Sequence, residues 1–340
     1  MRALGRNAGQ TAAEYLGALL VVSVIVAAIA TSDVGISVAR EVSRLVCVIG
    51  GGADCEREAA EAVRPQVREY ENQHGDRRVY DAEDGSDLPG EETRVNGDGP
   101  TGDEEADAVH ENFGAIFDYF EETFGRRSYD DNGSPLIATI NWRDPEHPDE
   151  PFRNAYWSED LKQMVFGRDY AAPLDVTAHE VTHGITNNEI GLPYEGETGA
   201  LSEALSDIFA SNIDTDDWEI GEDLPNGAIR DMEHPERFGD PAHVDDYLDT
   251  DRDHGGVHTN SAIPNKAYVN MVDRIGRDAS EQIVYDAMTE HLDSDSGFED
   301  FRSACLRSAA DRYGRSSDEY RGVRRAFADV GLDGTWEAPG

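Results

Sequence analysis

The stretch Asp175-Val176-Thr177-Ala178-His179-Glu180-Val181-Thr182-His183-Gly184-Ile185-Thr186 reads as a helix, and its two histidines decide what the rest of the chain must build. Residues four apart share one helix face, so His179 and His183 can bind a single Zn²⁺ while Glu180 stands beside the open coordination position. A second helical stretch, Gly199 to Asp207, puts Glu203 and Asp207 one turn apart. Glu203 can complete a His₂Glu site that keeps one position for water, and Asp207 can accept the second ring N–H of a ligand histidine. A solvated acidic face would explain those two carboxylates singly. It would not explain the apolar Ala200, Leu201, Ala204, Leu205 and Ile208 around them. The chemistry such a site supplies is a water acidified by the metal, with Glu180 placed to take its proton and pass it to a leaving amine.

Around this segment the chain is very acidic. Its 340 residues hold 29 Lys+Arg against 71 Asp+Glu, a formal net charge of −42. That balance argues against nucleic acid or an anionic membrane surface as a partner, because neutralising phosphates takes basic side chains. Only Lys162 and Lys266 are lysines, so the positive charge is almost all arginine. Few lysines and many carboxylates suit life at high ionic strength, where screening relieves self-repulsion; a GC-rich genome would give a similar arginine bias. The length suggests two or more domains.

The N-terminus carries an address. Leu16 to Ala30 is apolar except for Ser23, close to the length that spans a hydrocarbon core of about 30 Å as a helix. Arg2 and Arg6 precede it and Asp33 is the first charge after it, so the basic end is expected in the cytoplasm and the remainder outside. Glu14 beside the apolar run, with no clear small-residue cleavage pattern, argues against a cleaved secretory signal. Gly9-Gln10-Thr11-Ala12-Ala13-Glu14-Tyr15 resembles the processing site of Flp-type pilins, cut after the glycine, with a plain uncleaved anchor as the other reading. Cys47 and Cys55 bracket a glycine-rich loop that suits a small disulfide outside the cytoplasm, whereas Cys305 reads as a core residue.

The pattern along the chain gives four segments: 1–34 as pilin-like signal and membrane anchor, 35–74 as a helical linker, 75–174 as a mixed lobe and 175–340 as a helical lobe. Residues 56 to 73 are charged and helix-prone. Residues 81 to 107, dense in Asp, Glu, Gly and Pro, read as loop or solvated linker. Helical spacing of Val109, Phe113, Ile116, Phe117, Phe120 and Phe124 predicts an amphipathic helix from Ala106 to Phe124. Residues 135–142 and the run near Met164 predict strands, and helices are expected near 175–187, 200–213, 265–276, 279–292, 298–313 and 318–330.

At this point the chain resembles the thermolysin family of zinc metallopeptidases over roughly residues 77 to 335. The landmarks are RVYDA (78–82), NAYW (154–157), DVTAHEVTHGIT (175–186), GALSEALSDIF (199–209), DWEIGED (217–223), GGVHTNSAIPNKA (255–267) and the C-terminal AFADVGL. The short segment ahead of the zinc helix looks more like the compact protealysin-type members. The resemblance implies an α+β fold of two zincin lobes, mixed then helical, here preceded by a membrane helix.

It further implies zinc ligands His179, His183 and Glu203, with Glu180 as general base and Asp207 behind His179. His258 and Tyr194 would donate to the developing oxyanion, Asp253 would orient His258, and Arg230 would hold the substrate carbonyl and Glu203. Asn154 and the backbone of Ala155 would align the peptide, and Val176, Ile220 and Ile229 would line the pocket for the residue just after the scissile bond. Asp175, Asp214, Asp217, Glu219 and Glu222 resemble the family's paired calcium site, and five carboxylates brought together would need hard cations between them.

There are departures. Ser202 replaces the family's usual Asn behind a ligand histidine, so that hydrogen bond is expected to be lost or carried by water; Ala210 replaces a common Gly. Residues 1 to 74 do not resemble an inhibitory propeptide. The expected function is a surface-anchored or membrane-processed zinc endopeptidase of peptide or protein substrates, using Zn²⁺ and Ca²⁺. The alternative is a pilin-like structural or adhesive subunit, open to pilin-like assembly, whose peptidase domain no longer cleaves.

Overall fold

The five strands that build the first lobe are short, four or five residues each, and share too little alternation to be read together from sequence. The computed structural model describes residues 74–339. The apolar run 16–30, the pilin-like processing site, the Cys47–Cys55 loop and the helix-prone stretch 56–73 lie outside the described residues. Among those described, no helix is long and apolar enough to cross a membrane. The chain divides into two units, residues 1–74 with 96–99, and residues 75–95 with 100–340. Of the first, only His74 and residues 96–99 are described.

Strands β1 (Arg77–Asp81) and β2 (Glu91–Val95) pair antiparallel, with a register shift between Val79 and Tyr80. Helix α1 (Glu104–Phe124) follows. Asp103 caps it by accepting from the Ala106 N–H at 3.0 Å, three acidic residues sit in its first turn, and Gly125 ends it at φ 74°. Strands β3 (Leu136–Ile140), β4 (Ala155–Ser158) and β5 (Gln163–Phe166) complete a sheet of order β2-β1-β3-β5-β4. β1, β3 and β5 run parallel in its middle, and β4 closes it antiparallel to β5, with Ala155 opposite Phe166 and Trp157 opposite Met164. One edge of β4 is unpaired.

The expectation of a loop over residues 81 to 107 is corrected by β2 and by the start of α1 at Glu104. β2 escapes recognition because it has no apolar alternation. Its anchor is charged: the Arg94 guanidinium, fully buried, reaches Asp107 at 3.2 Å and Glu111 at 2.6 Å on α1.

The second lobe is helical. α2 (Leu174–Glu189) and α3 (Gly196–Ile213) are its central pair, and every residue of α3 from Gly199 to Asn212 is buried. A helix buried all round carries no amphipathic stripe; small Gly, Ala and Ser residues let its neighbours close in. Two short paired strands follow, β6 (Glu219–Ile220) and β7 (Arg230–Asp231). Next come α4 (Asp253–Asn260), which begins with a left-handed turn, and α5 (Ala262–Ile275), α6 (Arg277–Glu290), α7 (Phe298–Tyr313) and α8 (Asp318–Ala328). One core joins sheet and helices: Val79, Phe113 and Phe166 on one side, Leu201, Phe209, Tyr268 and Phe301 on the other.

Candidate active site

The zinc-motif helix is pinned on both faces. Val181 and Ile185 are buried in the core. On the other face Gly184 lies under the Trp157 indole, and a Cβ there would meet the ring at 3.1 Å, so β4 can approach α2 only over a glycine. This leaves His179, Glu180 and His183 at the floor of a cleft of about 550 Å³.

There the His179 and His183 Nε2 atoms stand 3.0 Å apart. Glu203 brings one carboxylate oxygen to 3.3 Å from each ring: Oε2 to His179 and Oε1 to His183. The three ligand atoms lie within 4.8 Å of one another, the one such group of His, Cys, Asp or Glu found among the described residues. Two imidazole nitrogens and a carboxylate suit Zn²⁺. Glu203 Oε2 is buried with no hydrogen-bond partner, an orphan that a cation would satisfy. The residues present therefore fit the metal.

Each ligand is oriented from behind. His179 Nδ1 faces Asp207 Oδ1 at 2.8 Å, which directs Nε2 toward the cleft. His183 Nδ1 faces Ser202 Oγ at 3.3 Å, so the hydrogen bond expected to be lost or water-borne is a direct contact; the shorter serine suffices because α2 and α3 pack closely. Arg230 corrects another expectation. It does not bond Glu203 but grips Asp207, Nε to Oδ2 at 2.9 Å and a terminal N–H to Oδ1 at 2.7 Å.

The electrostatics follow from burial and pairing. Burial opposes the charged forms of both partners, but His183 and His179 outweigh it for Glu203 and hold its carboxyl well below the usual range. Burial likewise works against protonated His179, and Asp207 and Glu203 overrule it, pushing the ring up to about 10. Glu180 is different: burial dominates and raises its carboxyl, and its Oε2 has no hydrogen-bond partner. It faces the cleft as an uncommitted base.

Above the metal group, the Tyr194 hydroxyl donates to Glu203 Oε1 at 2.5 Å and lies 3.2 Å from His258 Nε2. Burial of that hydroxyl, and then Glu203, raises the Tyr194 pKa, so it keeps its proton. Asp253 takes the His258 backbone N–H at 3.0 Å and Nδ1 at 2.8 Å. Asn154, Ala155, Val176, Ile220 and Ile229 all line the same cleft, Val176 and Ile220 buried and Ile229 45 % exposed at its rim. Sequence reasoning missed Leu224 and His254 as lining residues and took Trp157 only as a landmark. The signal for His254 was its place directly after Asp253.

The calcium residues are only partly gathered. Asp175 accepts from the Val176 N–H at 2.7 Å and from the Gly221 N–H, and Glu222 bonds to it while leaving its own buried Oε2 without a partner. Burial first, then Asp175, Asp217 and Asp214, push Glu222 up to about 7. Glu219 turns away to Arg237 at 2.6 Å. Asp175, Asp214 and Asp217 each disfavour the charge of Glu222, although these carboxylates do not close into a ligand group as tight as the zinc trio; the orphaned Glu222 oxygen fits an oxygen-seeking cation.

Comparison with known proteins agrees with this geometry. Residues 60–187 match the family model described as thermolysin metallopeptidase, catalytic domain, and residues 190–332 match thermolysin metallopeptidase, alpha-helical domain. The chain is 40% identical over 244 residues to an extracellular elastase of Staphylococcus epidermidis, covering 68% of this chain and 47% of that protein. It is 40% identical over 237 residues to the neutral protease NprE of Bacillus pumilus, covering 66% of this chain and 76% of that one. Among solved structures it is similar to the precursor of protealysin, a metalloproteinase from Serratia proteamaculans, with TM-score 0.69, 31% identity, and coverage of 76% of this chain and 88% of that one. The chain spans about half the length of the elastase, and 44% of the bacillolysin of Bacillus amyloliquefaciens.

Proposed function

Because the chain belongs to the thermolysin family of metallopeptidases, we propose that it is a zinc-dependent endopeptidase acting on peptide or protein substrates outside the cell. The observation that carries the reading is the convergence of His179, His183 and Glu203 on one point, beside a Glu180 oxygen that is buried and unpartnered. When bound there, zinc supplies an acidified water and a polarised scissile carbonyl. Glu180, within the same cleft, takes the proton of the attacking water and hands it to the leaving amine. Tyr194, which keeps its proton, releases Glu203 and donates to the developing oxyanion together with His258, whose ring Asp253 holds in place. Asn154 and Ala155 align the substrate backbone, and Arg230, fixed by Asp207, presents its remaining N–H groups to a substrate carbonyl.

Asp175, Asp214, Asp217 and Glu222 are read as a structural calcium site beside the cleft, with Glu219 given over to Arg237. Every catalytic position holds a competent residue, so nothing in the site favours a non-cleaving pilin-like or adhesive subunit. The boundaries read from sequence are kept as part of the proposal: anchor 1–34, linker 35–74, lobes 75–174 and 175–340. The apolar run Leu16 to Ala30 behind Arg2 and Arg6 supports tethering to the membrane with the peptidase outside, and Gly9 with Glu14 supports pilin-like processing and assembly. Cell fractionation of the full chain and of a variant lacking residues 16–30 tests the tether.

The test of the main reading is zinc content measured with casein hydrolysis by the purified chain, before and after chelation. One zinc per chain and activity lost on chelation and restored by zinc are expected. Hydrolysis indifferent to the chelator, or a chain that takes up no zinc, overturns the proposal.

A further inference from the structure

Four consecutive residues, Asp253, His254, Gly255 and Gly256, hold left-handed backbone, with φ of 52°, 51°, 91° and 77°. The glycines carry this freely. At Gly255 a Cβ would meet the N and Cα of Gly196 at 2.9 Å, so the turn docks backbone to backbone on the start of α3, close to Tyr194. For Asp253 the unfavourable conformation is compensated by its two bonds to His258, at 3.0 and 2.8 Å. His254 has no such compensation. Its side chain is exposed, and among the described residues its ring makes no hydrogen bond.

What the His254 ring does make is an edge-to-face contact with Tyr194, centroids 5.5 Å apart at 63°. Tyr194 is 42 % exposed, and its other imidazole neighbours are farther away, His183 at 6.1 Å and His258 at 6.3 Å. Yet the Tyr194 hydroxyl has to stand between Glu203 and His258. Those two contacts hold only the hydroxyl end; the ring itself is open to solvent on its outer side, and His254 is the nearest imidazole packed against it within the cleft. Strained backbone persists where the surroundings gain from it.

We infer that His254 is a positioning residue: its imidazole packs against the Tyr194 ring and holds the phenol hydroxyl where the oxyanion forms. The inference rests on the endopeptidase reading above. It adds a residue that no part of that reading uses.

The test is a double-mutant cycle on the zinc-loaded chain. His254→Ala should lower kcat about 10-fold while KM stays within about twofold. His254→Phe, which keeps a ring, should restore kcat to within about twofold. In a Tyr194→Phe background His254→Ala should change nothing further, because the hydroxyl being positioned is gone. His254→Gly, relieved of the left-handed strain, should melt no lower than the native chain while losing activity like His254→Ala, a split that a merely structural role would not give. Independently of turnover, the Tyr194 ring resonances of tyrosine-labelled protein should move in His254→Ala and return in His254→Phe. Unmoved resonances, an unchanged kcat, or effects of the two substitutions that simply multiply would overturn the inference. A native chain that binds zinc and cleaves nothing overturns the endopeptidase reading instead, and the ring resonances then decide on His254 alone.

Discussion

Asp207 and Arg230 are locked together by two hydrogen bonds inside the cleft floor, and the Asp207 oxygen that meets Arg230 at 2.7 Å also meets His179 Nδ1 at 2.8 Å. Asn265 adds a fourth contact to the same carboxylate, donating to Oδ2 at 2.8 Å. One fully buried carboxylate thus fixes a histidine of the metal group and a cleft-lining guanidinium at once. Asp207→Ala should lose about 3–5 kcal/mol of stability, since it leaves the Arg230 charge buried and unpaired. Zinc affinity should fall by about 10–100-fold, through the freed His179 ring. Urea unfolding and zinc competition titrations measure the two separately; native zinc affinity in this variant would refute the relay.

Glu180→Ala should abolish peptide hydrolysis and leave zinc bound, because Glu180 is placed as a proton acceptor and not among the ligand atoms. His258→Ala should be milder, a loss of roughly 10²–10³-fold in kcat for one oxyanion donor. Turnover of a fluorogenic peptide, with zinc counted in the same samples, gives both answers. Surviving activity in Glu180→Ala sinks the assignment.

Calcium should matter most where pH is highest. Glu222 titrates near 7 in the folded chain against 4.5 as a free side chain, because burial and then the neighbouring Asp175, Asp217 and Asp214 disfavour its charge. The folded state thus holds the proton that the unfolded state releases, and stability falls as pH rises from about 4.5 to about 7. Asp175 shifts in the same direction, through burial first. Zinc-loaded, calcium-free protein should therefore show a melting temperature that declines across this window, and added Ca²⁺ should abolish the decline. A melting temperature indifferent to calcium at pH 8 and low ionic strength would withdraw the site.

Val176, Ile220 and Ile229 give the cleft a branched aliphatic pocket, the last of them at the exposed rim. Burying a substrate side chain there gains about 0.8 kcal/mol per CH₂, so Leu, Ile or Phe should be preferred just after the cut over Ala, Asp or Lys. Ile229→Ala should narrow that preference. A net charge of −42 adds a separate bias toward cationic peptides. Profiling a peptide library at two salt concentrations separates them: the charge bias should fade with salt and the size preference persist. A dominant taste for small or acidic residues in both conditions excludes this pocket.

The sequence announced the metal group because its spacing is helical: His179 and His183 one turn apart need only α2 to be a helix, and Glu203 with Asp207 needs only α3. The long helices were legible for the same reason, with α7 at Phe298–Tyr313 matching the periodicity to the residue. What was not legible depends on partners distant in sequence. β2 is held by Arg94 reaching α1, and no local pattern encodes a buried guanidinium. β6 and β7 are two residues each, too short for any period. The grip of Arg230 on Asp207 instead of Glu203 is a matter of rotamer and closeness, which spacing cannot reveal. The contact of His254 with Tyr194 was hidden because it joins residues sixty apart through a left-handed turn that no local pattern encodes.

The unpaired edge of β4 forms one wall of the cleft through Ala155, Tyr156 and Trp157. Its free N–H and C=O groups match an extended main chain laid alongside, and neither a helix nor a closed domain can offer one. On the endopeptidase reading, the first thing tested in a substrate is therefore whether a stretch of it can be straightened. A well-folded protein exposes such a stretch only during local opening, so its rate of destruction follows its own opening free energy. The chain would thereby distinguish damaged from intact proteins with no residue devoted to recognising damage.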